Sequence, residues 1–341
     1  MAIHGLIRPK SGDARRTPKA AAPHLVSSFP NRTRMKDRFR IFIAALLAAA
    51  PLTAAPAPLV ALVRTSAGSS QTLWITGNDE QNLTVKDQVE ATETRRIPRA
   101  EIKSLHVFPT AAMAEAQALF ANGNYTAART KFSALREDFK GLAGIDGNPG
   151  TEAAFMELEC LRKSGDLEAL AKALETFDRN GLVRESQRRQ LDLYATWDAV
   201  RRKDWPKVES AAREYLKDRQ LPGGQRVQMA YCLGQALEAQ SKPQEAIDSY
   251  QIALVADGSA CVEIARDSLL HSLRLYRKDA AVLAAMKSQP PDGPGRQRLL
   301  EAAALADLWT TLPGSAGSLP ADLAEFLKFR PENAPAPRHK P

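Results

Sequence analysis

Short apolar or alternating runs occupy the stretch that begins at residue 58. They are rich in Val, Leu, Ile, Thr and Trp, and predicted turns at Gly68-Ser69-Ser70 and Gly77-Asn78-Asp79 separate the first of them. Runs of this length, bounded by Gly, Asn, Asp and Ser, predict β-strands. Four or five short strands are predicted over residues 59–65, 73–76, 83–85, 96–102 and 105–108, so residues 58–109 are predicted to form a small β module.

The pattern changes after residue 109, where apolar residues return at helical spacing in pairs of helix-length segments. The clearest pair lies between residues 230 and 254. Small residues in it allow two antiparallel helices to approach closely, and large residues fill the space between them. The positions that carry this pattern are Leu233, Gly234 and Leu237 on the first helix and Ala246, Tyr250 and Ala253 on the second.

The same helical pair recurs along the chain. The turns between the two helices of each copy are predicted to be 37 to 42 residues apart, at Asn124, Asp166, Asp204, Lys242 and Asp279. Self-similarity at a nearly constant period of this size is the signature of a repeat architecture. Residues 295–310 and 319–329 add a predicted final helical pair.

The unit at residues 230–254 resembles the tetratricopeptide repeat (TPR) family, which has Leu-Gly on its first helix and Ala, an aromatic residue and Ala on its second. The other copies match fewer positions: Ala116 replaces the first-helix glycine, and the period exceeds the family's roughly 34 residues. The resemblance implies a mainly α fold, a TPR-like α-solenoid of antiparallel helix pairs over residues 110–330, preceded by the β-rich module. A generic array of α-hairpins is the alternative, with nearly the same shape.

The β module resembles, through its strand spacing and the closing Ile97-Pro98-Arg99 phrase, a small SH3-like or Sm-like barrel. Two roles are open for it. The first, which we favour, is a structural cap for the helical domain. The second is a binding module for a cell-wall or other non-protein ligand. Fold alone does not separate these roles.

A basic stretch with Lys36, Arg38 and Arg40 precedes an apolar run at residues 41–50, and Pro51 and small residues follow. This order is typical of a secretory signal peptide, predicted at residues 35–57. Residues 1–34 are then either a disordered basic leader or the product of a misassigned start, with Met35 as the true one. The protein is predicted to be exported to the periplasm or cell envelope, with a cleaved signal favoured over a retained membrane anchor. The proline-rich residues 331–341 are predicted to be a disordered tail.

Charge argues against a nucleic-acid partner. The chain has 47 Lys and Arg against 39 Asp and Glu, a formal net charge of +8. The excess lies within the first 40 residues, so the remainder is neutral. A nucleic-acid-binding domain usually carries a basic stripe on its folded part. We therefore expect no nucleic acid, and membrane contact only through the export signal or a retained N-terminal anchor.

Candidate catalytic chemistry is sparse. Cys160, Cys232 and Cys261 form no C-x-x-C pair, and they are interpreted as small buried residues. His106 and His271 stand in no metal-binding or hydrolase motif. The sequence predicts a non-catalytic protein without cofactor or metal.

The TPR resemblance implies that first helices line a concave groove that binds a protein partner of unknown identity. The protein would then be a scaffold or adaptor of the cell envelope, and a groove with these residues would suit a partner segment that contains apolar or aromatic side chains. Rigid aromatic side chains make strong anchors at interfaces, so for Trp197 and Tyr231 we favour the groove over the core. Core and groove are equal alternatives for Phe155 and Leu193. The predicted groove comprises Met113, Gln117, Phe120, Phe155, Arg162, Leu193, Trp197, Arg201, Tyr231, Gln235 and Glu238, with Glu159, Ser268, Ser272 and Leu275 in the same register.

Overall fold

A computed structural model describes residues 59–257, 261–312 and 318–330. This part of the chain is mainly helical, with a small antiparallel sheet on its N-terminal side. No helix in it is long and apolar enough to span a membrane. The predicted leader, the signal peptide and the tail at residues 331–341 lie outside the described residues.

The sheet contains five antiparallel strands in the order β4-β3-β2-β1-β5. The last strand therefore returns beside the first, and β4 and β5 are the two edges. A 3-10 turn at Arg99–Glu101 connects them. The structure confirms a small β module, but the predicted strand at residues 96–102 is wrong, because this turn divides it between β4 and β5. The strands are β1 Leu59–Thr65, β2 Ser70–Asn78, β3 Asn82–Lys86, β4 Arg95–Pro98 and β5 Ile102–Val107.

One predicted turn is displaced. Gly77 and Asn78 lie inside β2, and the register with β3 shifts just before Gly77. Such a bulge allows a strand to continue through a glycine. The turn follows at Asp79, whose carboxylate accepts hydrogen bonds from the amides of Gln81 (2.9 Å) and Asn82 (2.7 Å).

Twelve α-helices follow the sheet in the described part of the chain, and the first ten form five hairpins. In each hairpin we call the odd-numbered helix the first helix and the even-numbered helix the second. The helices are α1 Ala111–Ala121, α2 Tyr125–Asp138, α3 Pro149–Lys163, α4 Leu167–Glu175, α5 Glu185–Arg201, α6 Trp205–Lys217, α7 Gly223–Ala239, α8 Pro243–Asp257, α9 Val262–Lys278, α10 Ala280–Lys287, α11 Arg296–Trp309 and α12 Ala321–Ala324.

Alternate strand residues face a buried core on one side of the sheet. In β1, Ala61 and Val63 are buried while Leu62 between them is exposed. This alternation is the pattern of a sheet with one solvated face. Buried Leu142 and Ile145, from the segment after α2, join the same core. The β module thus packs on residues that belong to the helical region.

Four of the five hairpins share one turn. The residue two positions before the second helix is left-handed in each, and it is Gly123, Gly165, Lys203 or Ser241. Its amide donates to a carbonyl three residues back, and the next amide donates to one five residues back. This pair of hydrogen bonds is the Schellman motif at the C-terminus of the first helix. The five predicted turn residues are confirmed: Asn124, Asp166, Asp204 and Asp279 are N-caps of second helices, and Lys242 directly precedes α8.

The best-matching pair, α7 and α8, packs as the small residues predict. Gly234 lies against the ring of Tyr250, and Ala246 and Ala253 are fully buried. The predicted final pair is confirmed only in part. Its first member is α11, but α12 has four residues and continues as a 3-10 turn, Glu325–Phe329.

Candidate functional site

The predicted groove residues differ widely in exposure. Gln117 is exposed, and Met113, Phe120, Glu159, Arg201, Gln235 and Glu238 are half-buried. The remaining members are buried: Phe155, Arg162, Leu193, Trp197, Tyr231, Ser268, Ser272 and Leu275.

Between α3 and α5 the contact is a hydrogen bond from Tyr194 of α5 to a buried ion pair within α3. The Arg162 guanidinium donates from Nε and Nη2 to the two oxygens of Glu159 at 2.9 and 2.8 Å, and the hydroxyl of Tyr194 donates to Glu159 Oε1 at 2.6 Å. The Arg162 side chain is only 2% exposed. Burial favours the neutral acid, but the Arg162 charge and hydrogen bonds outweigh it and lower the pKa of Glu159. Arg162, one of the predicted groove residues, therefore makes an internal polar contact with Glu159.

Between α5 and α7 the contact is a buried amide network. The indole Nε1 of Trp197 donates to Gln228 Oε1 at 3.0 Å, and Gln228 also exchanges two hydrogen bonds of 2.9 Å with Gln190. Trp197 is 6% exposed. A buried Trp with a satisfied N–H is what a core position requires. Of the two alternatives for Trp197, the structure favours the core.

Between α7 and α9 the contacts reach the surface. Glu238 Oε2 lies 2.7 Å from His271 Nδ1 and accepts a 2.9 Å hydrogen bond from the hydroxyl of Tyr250. The His271 ring stacks on Tyr250 and meets Tyr231 edge-on. Tyr231 is 7% exposed, so burial favours the core for it as well. The side chains of Glu238 and His271 are 25% and 28% exposed.

These contacts run from one first helix to the next, and we call them the first-helix seam. Its residues are Glu159, Arg162, Gln190, Tyr194, Trp197, Gln228, Tyr231, Glu238 and His271, together with Gln235 and Asp267 beside Tyr231. Its exposed end consists of Gln235, Glu238, Asp267 and His271. Gln235 Nε2 donates to the hydroxyl of Tyr231 at 3.1 Å. Burial and then the negative charge of Asp267 raise the pKa of Tyr231, so that its hydroxyl is a neutral donor at ordinary pH. The exposed end presents carboxylate, amide and imidazole groups.

The other half-buried members have partners outside the seam. Arg201 pairs with Glu168 on α4 and with Asp198. Phe120 packs edge-on against Tyr125. Met113 and Gln117 instead line a mostly apolar cleft of about 410 Å³ between β5, α1 and α3. The predicted groove residues are therefore divided between the seam, the core, this cleft and contacts with second helices.

His271, Asp267 and Gln228 were not among the predicted residues. His271 contacts Glu238, which is 33 positions away, and Gln228 contacts Gln190, which is 38 positions away. The repeat period brings first helices together at such distances. It does not specify which side chains meet, so no local sequence signal identifies them.

In the described part of the chain, no group of three or more His, Cys, Asp and Glu side chains is arranged to hold a metal ion. All three cysteines are free thiols and buried. Burial raises the pKa of Cys160 to about 12, which keeps it a thiol at neutral pH. A second cavity, of about 650 Å³, lies between α2, α3 and α4.

Comparisons of the chain with protein-family models, with curated proteins and with solved structures find no match.

Proposed function

We propose that the protein is a non-catalytic scaffold or adaptor of the cell envelope that binds segments of partner proteins. The observation that carries this proposal is the exposed end of the first-helix seam. Gln235 and Glu238 lie there, at positions that the TPR resemblance assigns to a binding groove, beside Asp267 and His271 of the next first helix. Side chains on successive first helices give a partner segment several contact points on rigid elements.

The proposed partner differs from the apolar segment that the sequence suggests. Trp197 and Tyr231 are buried, so their apolar surface is already used within the protein. The groups left for a partner are the carboxylates of Glu238 and Asp267, the Gln235 amide and the His271 ring. A partner segment with hydrogen-bond donors or a positive charge complements them.

The finer architecture and the location are part of the same proposal. The recurrent turn and the close α7–α8 contact support a TPR-like solenoid. The basic, apolar and small-residue order of residues 36–55 supports export to the periplasm or cell envelope.

A second candidate function is the binding of a small non-protein ligand beside the β module. The cleft between β5, α1 and α3 favours it, because its volume of about 410 Å³ lies in the range of small-molecule sites. Met113 and Met156 in its wall supply adaptable apolar surface.

A quantitative pull-down from envelope fractions tests the first function. Tagged full-length protein is compared with Glu238→Gln, which removes the charge and keeps the shape. Glu214→Gln is the matched control, because Glu214 is 74% exposed and lies on the second helix α6. We expect a partner that Glu238→Gln loses and Glu214→Gln retains. Thermal melts establish that both variants are folded.

Two results would contradict the proposal. In one, both variants retain every captured protein equally. In the other, Met156→Trp, which fills the cleft beside β5, abolishes capture while Glu238→Gln has no effect. That second pattern favours the β-module site.

A further inference from the structure

One ion pair joins helices that are far apart in the chain. The ammonium of Lys163, at the end of α3, lies 2.7 Å from Glu263 Oε1 in the first turn of α9. The hydroxyl of Tyr125, at the start of α2, donates to Glu263 Oε2 at 3.4 Å. The Lys163 ammonium also lies 5.7 Å from the centroids of the Phe120 and Tyr125 rings. We call these four residues the clasp.

The clasp connects hairpins that are not neighbours. Its hydrogen bonds join residues 100 and 138 positions apart, from the first two hairpins to the fifth. In a stacked repeat array each unit contacts only its neighbours. The contact is therefore additional to the packing that builds the array, and it brings α2 and α3 against the first turn of α9.

The clasp is partly buried and rests on charge. The Lys163 and Glu263 side chains are 11% and 27% exposed. Burial favours neutral Lys163, but Glu263 outweighs burial and raises the pKa of Lys163, so that the pair is ionic at neutral pH. Added salt weakens a pair that water reaches on one side. An ion pair of this kind can break without unfolding of the helices that carry it.

Buried seam residues lie next to the clasp. Cys261, two residues before Glu263, is 3% exposed, and its Sγ lies 3.8 Å from the carbonyl of Gly224. Arg162, the residue before Lys163, is 4% exposed. The charges of Arg162 and Lys163 on α3 reach the Cys261 thiol. We therefore expect separation of α3 from α9 to give solvent access to Cys261 and to the α3 end of the seam.

We infer that the clasp is a latch that holds the first two hairpins against α9 in the free protein, and that its release opens the first-helix seam. This inference rests on the proposed function, because a partner segment bound at the exposed end would extend along the part of the seam that the latch closes. Phe120 then has a role that the sequence does not indicate: its ring helps to hold Lys163 in place.

Thiol labelling of the full-length protein tests the latch without any partner. The protein is treated with N-ethylmaleimide, and the labelling rates of the three cysteines are read separately by peptide mass spectrometry. In Glu263→Gln we expect labelling of Cys261 to be about tenfold faster, a shift of about 1.4 kcal/mol in the opening equilibrium. Cys160 and Cys232 should keep the rates of the parent protein.

A second variant distinguishes a change in solvent access to Cys261 from a change in the pKa of its thiol. Glu263→Gln removes a negative charge near Cys261, whereas Lys163→Gln removes a positive one, so the two variants move the pKa of Cys261 in opposite directions. An open latch predicts faster labelling of Cys261 in both. Glu325→Gln is the matched control, because it breaks the Arg277–Glu325 pair elsewhere in the helical region.

The salt dependence of labelling in the unmodified protein is an independent test. Raising the salt concentration should accelerate labelling of Cys261 in the parent but not in Glu263→Gln. The latch is overturned if Cys261 keeps the parent rate in both clasp variants, or if all three cysteines accelerate together, which indicates global unfolding. Because no partner is present, these outcomes are independent of the pull-down.

Discussion

Gly234 of α7 lies directly against the ring of Tyr250 of α8. A Cβ atom added to Gly234 would be 2.5 Å from Cε1 of that ring, closer than real side chains approach. Tyr250 is fully buried and its hydroxyl is held by Glu238, so the ring has little room to withdraw. The absence of a side chain at residue 234 is therefore a condition for the α7–α8 contact.

We expect Gly234→Leu to destabilise the protein by roughly 1–3 kcal/mol, because overpacking forces the two helices apart. Thermal and denaturant melts measure the change. Gly77→Ala is the control, since its new Cβ would meet Thr84 Cβ at an ordinary 3.8 Å. An unchanged midpoint for Gly234→Leu would show that α7 and α8 are not in this register.

The shared hairpin turn predicts that Ser241→Gly and Gly165→Ala, at equivalent left-handed positions, change the stability of the protein in opposite directions. Ser241 has φ +59, which is strained for a residue with a Cβ, so Ser241→Gly should stabilise the protein, by up to about 1 kcal/mol. Gly165 has φ +77 and open space around its missing Cβ. Gly165→Ala should therefore cost about 1 kcal/mol through backbone strain alone. Melts that move in the same direction for both variants would contradict the shared turn.

Trp197→Ala should destabilise the fold by roughly 3–5 kcal/mol, as truncation of a buried aromatic does. It also leaves Gln228 without the indole donor. Val255→Ala on α8 is the control, because Val255 is 83% exposed and its loss should change little. If Trp197→Ala instead leaves the melt unchanged and weakens partner capture, the groove interpretation of Trp197 is restored.

The buried Glu159–Arg162 pair predicts a pH dependence. Glu159→Gln leaves Arg162 charged and unpaired, which should cost roughly 3–5 kcal/mol at neutral pH. The pKa of folded Glu159 lies below its ordinary 4.5, so its stabilising contribution is complete above about 4.5 and is lost as pH falls through the lower, folded value.

Denaturant melts of the parent and of Glu159→Gln as a function of pH measure this contribution. The difference in free energy of unfolding should be constant near neutral pH and shrink in acid. Other carboxyls titrate in both proteins and cancel in the difference. A difference that does not change with pH would place the Glu159 pKa at the same value in the folded and unfolded chains.

Export predicts a specific N-terminus. Sequencing of the mature protein from cells should begin between residues 51 and 59, at the end of the apolar segment. An intact cytoplasmic protein that begins at Met1 would contradict both the signal peptide and the assignment of Met35 as the start.

Local patterns predicted the elements well where the governing interactions are short-range. The internal repeat predicts hairpin turns at Asn124, Asp166 and Asp204, and each of these residues caps the helix that follows it. A capping hydrogen bond joins residues about three positions apart, so a short stretch of sequence is enough to predict it. The turn at 77–79 was displaced because continuation of β2 depends on a bulge against β3, and a bulge is a property of two strands.

The candidate site shows the opposite case. The repeat register correctly assigned Trp197 and Tyr231 to first helices. Whether their rings face solvent or a neighbouring helix depends on how closely α5, α7 and α9 pack. Gln228 and His271, which contact these rings, belong to helices that the same register leaves free to rotate.

Strand alternation, helix capping and small-residue contacts act over a few residues. Local patterns are therefore enough to predict a mainly helical chain with a small β module and the positions of the hairpin turns. The buried hydrogen bonds between first helices and the contact of Lys163 with Glu263 are visible only in the folded molecule. A contact between residues 100 positions apart depends on the geometry of every hairpin between them, and no short stretch of sequence encodes that geometry.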